Sequence, residues 1–217
     1  MRGTRPTDRA TDEDHPDQAT RCQPRVGSAR PRSLPDVRAG VHISALYSRP
    51  GERDALLYPY LHDGLVHAQR CTAYLAGGAR QTLLNRLSTD IDVEAVRSSG
   101  QLDVRNAAEQ PFTSDISYAE AASHLWEGLV AQRGRGEFHF ARFTVETTRW
   151  LPHLRRPHEL LRFESQLTSL ALGHPITLMF MYDLSDLDGA LIIELARTHQ
   201  TLWACGVALA NPYYTAT

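Results

Sequence analysis

The chain has 217 residues, 23 basic against 25 acidic, with 42% hydrophobic and 8% aromatic content. That suits one ordinary globular domain plus an appendage, and no stretch approaches the ~20 apolar residues of a membrane span. Every basic residue is an arginine, which excludes a lysine Schiff base, a lysine general base and a P-loop with its phosphate-contacting lysine.

The Met1 end lacks the apolar run of a signal peptide, so a soluble, cytoplasmic protein is expected, with no membrane partner. Cys22, Cys71 and Cys205 lie far apart with no C-x-x-C pair, a spacing that supports neither a disulfide framework nor a zinc knuckle. Residues 1–38 hold eight arginines, six acids and five prolines but few branched aliphatics. Such a segment buries too little apolar surface to offset chain entropy and is expected to be a disordered tail. Residues 39–217 form the folded domain, with a net charge of −4 (15 − 19) that disfavours nucleic acid as a partner.

Within that domain apolar runs alternate with helical periodicity. His42–Tyr47 is a predicted strand, and Ser48-Arg49-Pro50 opens a helix bearing Leu56, Leu57, Tyr60, Leu61 and Leu65. Cys71–Ala76 is a second strand, followed by short helices around Leu83–Leu87 and Val93–Val96, then a third strand at Leu102–Val104. Ser117 and Glu120 have capping-box spacing at the start of a long helix that stops at Gly134. Phe138–Val145 is a fourth strand, Pro157–Gly173 a helix, Ile176–Tyr182 a fifth strand, Leu187–Ala196 a helix and Leu202–Leu209 a single sixth strand. Strands alternating with helices predict an α/β fold, a three-layer, mostly parallel sheet with helices on both faces.

In such a sheet ligands bind outside the carboxyl ends of the strands. That rule selects Tyr47, Arg49 and Arg53 after the first strand, Glu146 and Trp150 after the fourth, and Tyr182 and Asp183 after the fifth. Tyr47, Glu146 and Tyr182 are expected on one rim. Glu146 and Asp183 could share a site and supply acid–base chemistry, or else pair with arginines and cap a helix. His42, at the amino end of its strand, is a third acid–base candidate, though a hydrogen-bonded structural role is the plainer reading. Ten histidines are scattered without H-E-x-x-H spacing; His153 and His158 give only a weak metal signal, and no metal or other cofactor is expected.

Several short motifs in chain order carry a family resemblance: Val41-His-Ile-Ser-Ala-Leu-Tyr47 with Arg53, Leu57, Tyr60-Leu61 and Gly64-Leu65; Glu146-Thr-Thr-Arg-Trp150; Leu160-Leu-Arg-Phe-Glu164; Met181-Tyr-Asp183; Arg197-Thr-His199; and Asn211-Pro-Tyr-Tyr214. Together they resemble MEDS domains, sensory domains named from methanogens, methylotrophs and the regulator of dichloromethane dehalogenase. The resemblance spans about residues 40–215 and implies a RecA/KaiC-like fold without a Walker A loop, in keeping with the missing lysine. Ser44 stands where the family often has cysteine, Gln200 where proline is usual and Ala210 where an acid is common.

The resemblance also implies a small organic ligand, bound by Tyr47, Arg53, Glu146, Trp150, Tyr182, Asp183, His199, Asn211 and Tyr213, without catalysis. The signal would pass to a separate protein partner carrying the output, transcription regulation among the possibilities, and self-association is left open. The alternative is an enzyme on the same scaffold acting on a small organic substrate, with Glu146, Asp183 and His42 as its acid–base groups.

Overall fold

The computed structural model describes residues 37–109, 117–133, 138–147 and 157–214. Residues 1–36 of the expected tail at 1–38, the stop at Gly134, Trp150 and His153 lie outside them. Seven strands form one sheet: β1 (His42–Tyr47), β2 (Arg70–Leu75), β3 (Leu102–Asn106), β4 (Ala141–Glu146), β5 (Ile176–Asp183), β6 (Thr201–Ala204) and β7 (Val207–Ala210). Their spatial order is β3-β2-β4-β5-β1-β6-β7, parallel except for the antiparallel β6–β7 pair. Among the described residues six α-helices accompany them: α1 (Pro50–Val66), α2 (Gly77–Leu87), α3 (Val93–Ser98), α4 (Tyr118–Arg133), α5 (Pro157–Ala171) and α6 (Gly189–Thr198).

Two apolar cores, one on each face of the sheet, make the three layers. Ile43, Ala45 and Tyr47 of β1 point toward α1 and α2, joining Leu56, Leu57, Tyr60, Leu61, Leu83 and Leu87. Leu178, Phe180 and Tyr182 of β5 point the other way, joining Leu125 and Leu129 of α4, Leu160, Phe163 and Leu167 of α5, and Leu195 of α6. Every residue of β2 and β4 is buried, as central parallel strands covered on both sides must be. Pro59 sits inside α1, where proline costs about 3 kcal/mol. Full burial of Leu56, Leu57, Tyr60 and Leu61 around it, at roughly 1.5–3 kcal/mol per large side chain, outweighs that cost.

The expected single strand at Leu202–Leu209 is instead the β6–β7 hairpin. Cys205 (φ 52°) and Gly206 (φ 71°) both take left-handed conformations at its turn, the requirement of a two-residue hairpin loop whose twist matches its strands. Cys71 is buried and free, whereas Cys205 is disulfide-bonded, a bond its spacing gave no reason to expect. The capping box is present, with Ser117 N–H donating to Glu120 Oε2 at 2.8 Å and Glu120 N–H to Ser117 Oγ at 3.3 Å. Asp188, not Asp183, caps α6 through the Leu191 amide; Asp183 accepts from Ser185 in the preceding 3-10 turn. No described helix is long and apolar enough to cross a membrane.

Candidate functional site

At the carboxyl end of β4, Glu146 is 2% exposed and joins three elements. Its Oε1 accepts from Arg53 Nη1 at 3.0 Å, and its Oε2 accepts from the Ala76 amide at 2.6 Å. Neither α1 nor α2 has a side-chain cap: Arg49 and Ala76 hold the N-cap positions without a capping bond. Glu146 supplies the anion that the free amides and dipole of α2 favour. Arg53 is also bound to Asp54, from Nε at 2.9 Å and Nη2 at 2.7 Å. Burial opposes its charge, but Asp54 and Glu146 more than offset this and raise the guanidinium pKa. Tyr47 ends β1, next to the start of α1, with its side chain in the α1–α2 layer.

Tyr182 is not on that rim. Leu46 lies opposite Tyr182 in the β1–β5 register and Tyr47 opposite Asp183, so alternation sends the two tyrosines to opposite faces. The Tyr182 hydroxyl donates to Glu164 Oε1 beneath α5, and both residues are fully buried. The single rim of Tyr47, Glu146 and Tyr182 is therefore replaced by two separate groups. Asp183 is committed to Ser185 through its amide at 2.9 Å and its hydroxyl at 2.7 Å. Glu146, Asp183 and His42 thus each have their own partners: Arg53 and the Ala76 amide, Ser185, and Thr168 with Glu164.

The second group is an interior cluster. His42, Glu164 and His199 are all fully buried. Glu164 Oε2 lies 3.2 Å from His42 Nε2 and 3.3 Å from His199 Nε2. The two imidazole centroids are 4.4 Å apart, and Phe180 packs on His42 at 4.9 Å. Burial, aided by the facing His199, holds the His42 pKa well below the usual value. Burial, with Glu164 alongside, raises that of Tyr182. Asn211 props the cluster from behind, its Nδ2 donating to the His199 carbonyl at 2.7 Å and to the Ala196 carbonyl. Tyr213 is 71% exposed and stands apart.

The family model of the methanogen/methylotroph, DcmR sensory domain matches residues 41–200. The chain belongs to the MEDS family. No curated protein matches it. A KaiC-like protein from the hyperthermophilic archaeon Pyrococcus horikoshii OT3 is similar in structure, with a TM-score of 0.51 at 9% identity over 76% of this chain and 71% of that one. An uncharacterized protein from Pyrococcus horikoshii, solved in complex with an unknown peptide, reaches the same TM-score at 16% identity over 77% and 78% of the two chains. At such identities the likeness concerns the fold alone, a KaiC-like, RecA-type α/β domain.

Of the residues expected to bind ligand in this MEDS domain, Tyr47, Arg53 and Glu146 gather at the carboxyl-end rim, while Tyr182 and His199 gather with His42 inside the other layer. Glu164 was absent from the expected site, although it stood in the Leu160–Glu164 motif. One signal pointed to it: Leu160, Phe163, Glu164, Leu167 and Ala171 share the buried stripe of α5, and an acid on such a stripe requires a partner. A cleft of about 450 Å³ lies away from both groups, at the β3 edge beside Arg97, Gly100 and Asp103.

Proposed function

We propose that this MEDS domain is a non-catalytic sensor that binds a small organic compound over the rim formed by Tyr47, Arg53 and Glu146. The family supports a sensory role in general. The observation that carries the rim reading is the position of Glu146, one nearly buried carboxylate linking the end of β4 to Arg53 of α1 and to the Ala76 amide at the N-cap of α2. A ligand that draws Arg53 or the α2 amides toward itself shifts α1 against α2. That displacement is what a separate output protein would read, because an equilibrium moves only through differential contacts with its two states. Ligand pockets are mostly apolar with a few fixed polar groups, the roles this reading gives to Tyr47 and to the Arg53–Glu146 pair.

Thermal-shift titration of the intact chain against small alcohols, halocarbons, carboxylates and amines tests the reading. The expected result is stabilisation by at least one class, with weaker affinity in Glu146→Gln and no substrate consumed. Turnover of a compound, falling about 10²–10⁴-fold in Glu146→Gln with affinity kept, is the behaviour of a general base and would establish the enzyme instead.

A further inference from the structure

The interior cluster poses a hydrogen-bonding problem that its own neighbours make sharp. Thr168 Oγ1 donates its hydrogen to the Glu164 carbonyl at 2.9 Å, so toward His42 Nδ1, also at 2.9 Å, it can only accept. His42 Nδ1 therefore carries the proton. His199 Nδ1 lies 2.8 Å from the Leu195 carbonyl, which again only accepts, so that nitrogen carries the proton too. In both neutral rings Nε2 is left as a bare lone pair. The Tyr182 hydroxyl occupies Glu164 Oε1, which leaves Oε2 bare as well.

These three atoms, His42 Nε2, His199 Nε2 and Glu164 Oε2, are buried and have no hydrogen-bond partner. All lie within 4.8 Å of one another. Three converging lone pairs in a buried interior are costly, roughly 1–3 kcal/mol for each unsatisfied group. Protonation satisfies all three only by placing two protons among them, as two imidazolium rings 4.4 Å apart or as one imidazolium beside a neutral carboxyl. A single cation at their centre satisfies all three with no added proton.

We infer that His42, Glu164 and His199 form a binding site for one divalent first-row transition ion of the zinc or ferrous type. Two imidazole nitrogens and one carboxylate oxygen are the donors such ions take. Tetrahedral bonds of 2.0–2.2 Å set ligand atoms about 3.4 Å apart, close to the 3.2 and 3.3 Å found here. The outer contacts have the arrangement metal sites use: each histidine gives its other N–H to an oxygen, and the carboxylate's second oxygen is held by a hydroxyl. The hydroxyl of Ser44, on the same face of β1 as His42, is buried and also without a partner. The site ties β1, α5 and the start of β6 together, on the opposite face from the α1–α2 layer.

The test is metal analysis of the full chain as purified, then titration of the chelator-treated protein with Zn(II) and with Co(II). The expected result is one ion per chain, a rise in melting temperature with Zn(II), and intense visible Co(II) bands of a low-coordinate site. His199→Gln and Glu164→Gln, checked for fold by circular dichroism, should lose at least 100-fold in affinity. Tyr182→Phe should retain one ion with about 10–100-fold weaker binding, the usual effect of an outer partner. Absence of binding by the wild-type chain, or binding undiminished in folded variants, overturns the proposal. Neither outcome touches the rim reading, whose ligand test uses Glu146 and metal-free compounds.

Discussion

Arg142 of β4 reaches Asp63 of α1 through the first core layer, its guanidinium donating from Nη2 to the Asp63 carboxylate. Its side chain is 3% exposed, with Nη1 on the Tyr60 carbonyl at 2.8 Å and Nε on Gln69 Oε1 at 2.6 Å. A buried arginine persists when its fork is filled, since an unfilled one loses hydration without replacement. Arg142→Met keeps the stem's packing but strips the Tyr60 carbonyl of its donor and Asp63 of its counter-ion. It is expected to cost about 2–4 kcal/mol in urea unfolding. An unchanged midpoint would show that solvent at Asp63 replaces the arginine fully.

Gly64 makes the same crossing possible. A Cβ there would lie 2.7 Å from Cys71 Sγ and 2.8 Å from Arg142 Cδ, both buried. Alanine ordinarily stabilises a helix interior by about 1 kcal/mol over glycine. Here the contact forces the arginine or the thiol to move, and overpacking of this kind costs about 1–3 kcal/mol. Gly64→Ala should therefore lower stability on balance, and Cys71→Ala in the same chain should recover part of the loss. Additive behaviour in the double variant would place the strain elsewhere.

How much of this was legible beforehand follows from what each signal encodes. Periodicity and caps marked the strands and helices, because burial on two faces and unpaired amides leave local traces in His42–Tyr47, Ile176–Asp183 and the Ser117–Glu120 pair. The hairpin at Cys205-Gly206 was missed because a cysteine rarely adopts positive φ, so no Asn-Gly signal announced it. The facing of Tyr47 and Tyr182 depends on the β1–β5 register, and a shift of one residue reverses every side chain. Arg53 and Glu146 are 93 positions apart, and His42 and His199 farther still. No spacing rule reaches such pairs, and only the polar residue on the α5 stripe gave a local hint of Glu164.

Alkaline pH should loosen the α1–β2 contact first. Burial pushes the Cys71 thiol up to about 12 from an ordinary 9.0, and it raises Tyr60 as well. An acid whose pKa is higher in the folded state holds its proton there while the unfolded chain releases it. The contribution to stability is therefore complete below about pH 9 and declines as pH rises toward 12, by up to about 1.4 kcal/mol per unit for one group. Melting temperatures measured between pH 8 and 10 should fall in the wild type and fall less steeply in Cys71→Ala. Equal slopes would show that the thiol is not the group titrating.

Glu146 has two contacts of different kinds, and graded substitution separates them. Glutamine keeps an oxygen for the Ala76 amide but gives up the charge that Arg53 faces at 3.0 Å. Alanine loses both, leaving the Ala76 amide at the N-cap of α2 without that acceptor and Arg53, 12% exposed, with Asp54 alone. Glu146→Gln should cost about 1–2 kcal/mol and Glu146→Ala about 2–4 kcal/mol, since hydrogen bonds to charged groups contribute roughly 1.5–3 kcal/mol and an orphaned buried donor adds its desolvation. Arg53→Met combined with Glu146→Gln should cost less than the two singles summed, the mark of direct coupling. Chemical denaturation of the four variants against the wild type decides it. Equal losses for glutamine and alanine would mean that the amide contact contributes nothing, and that the ion pair alone fixes α1 against the end of β4.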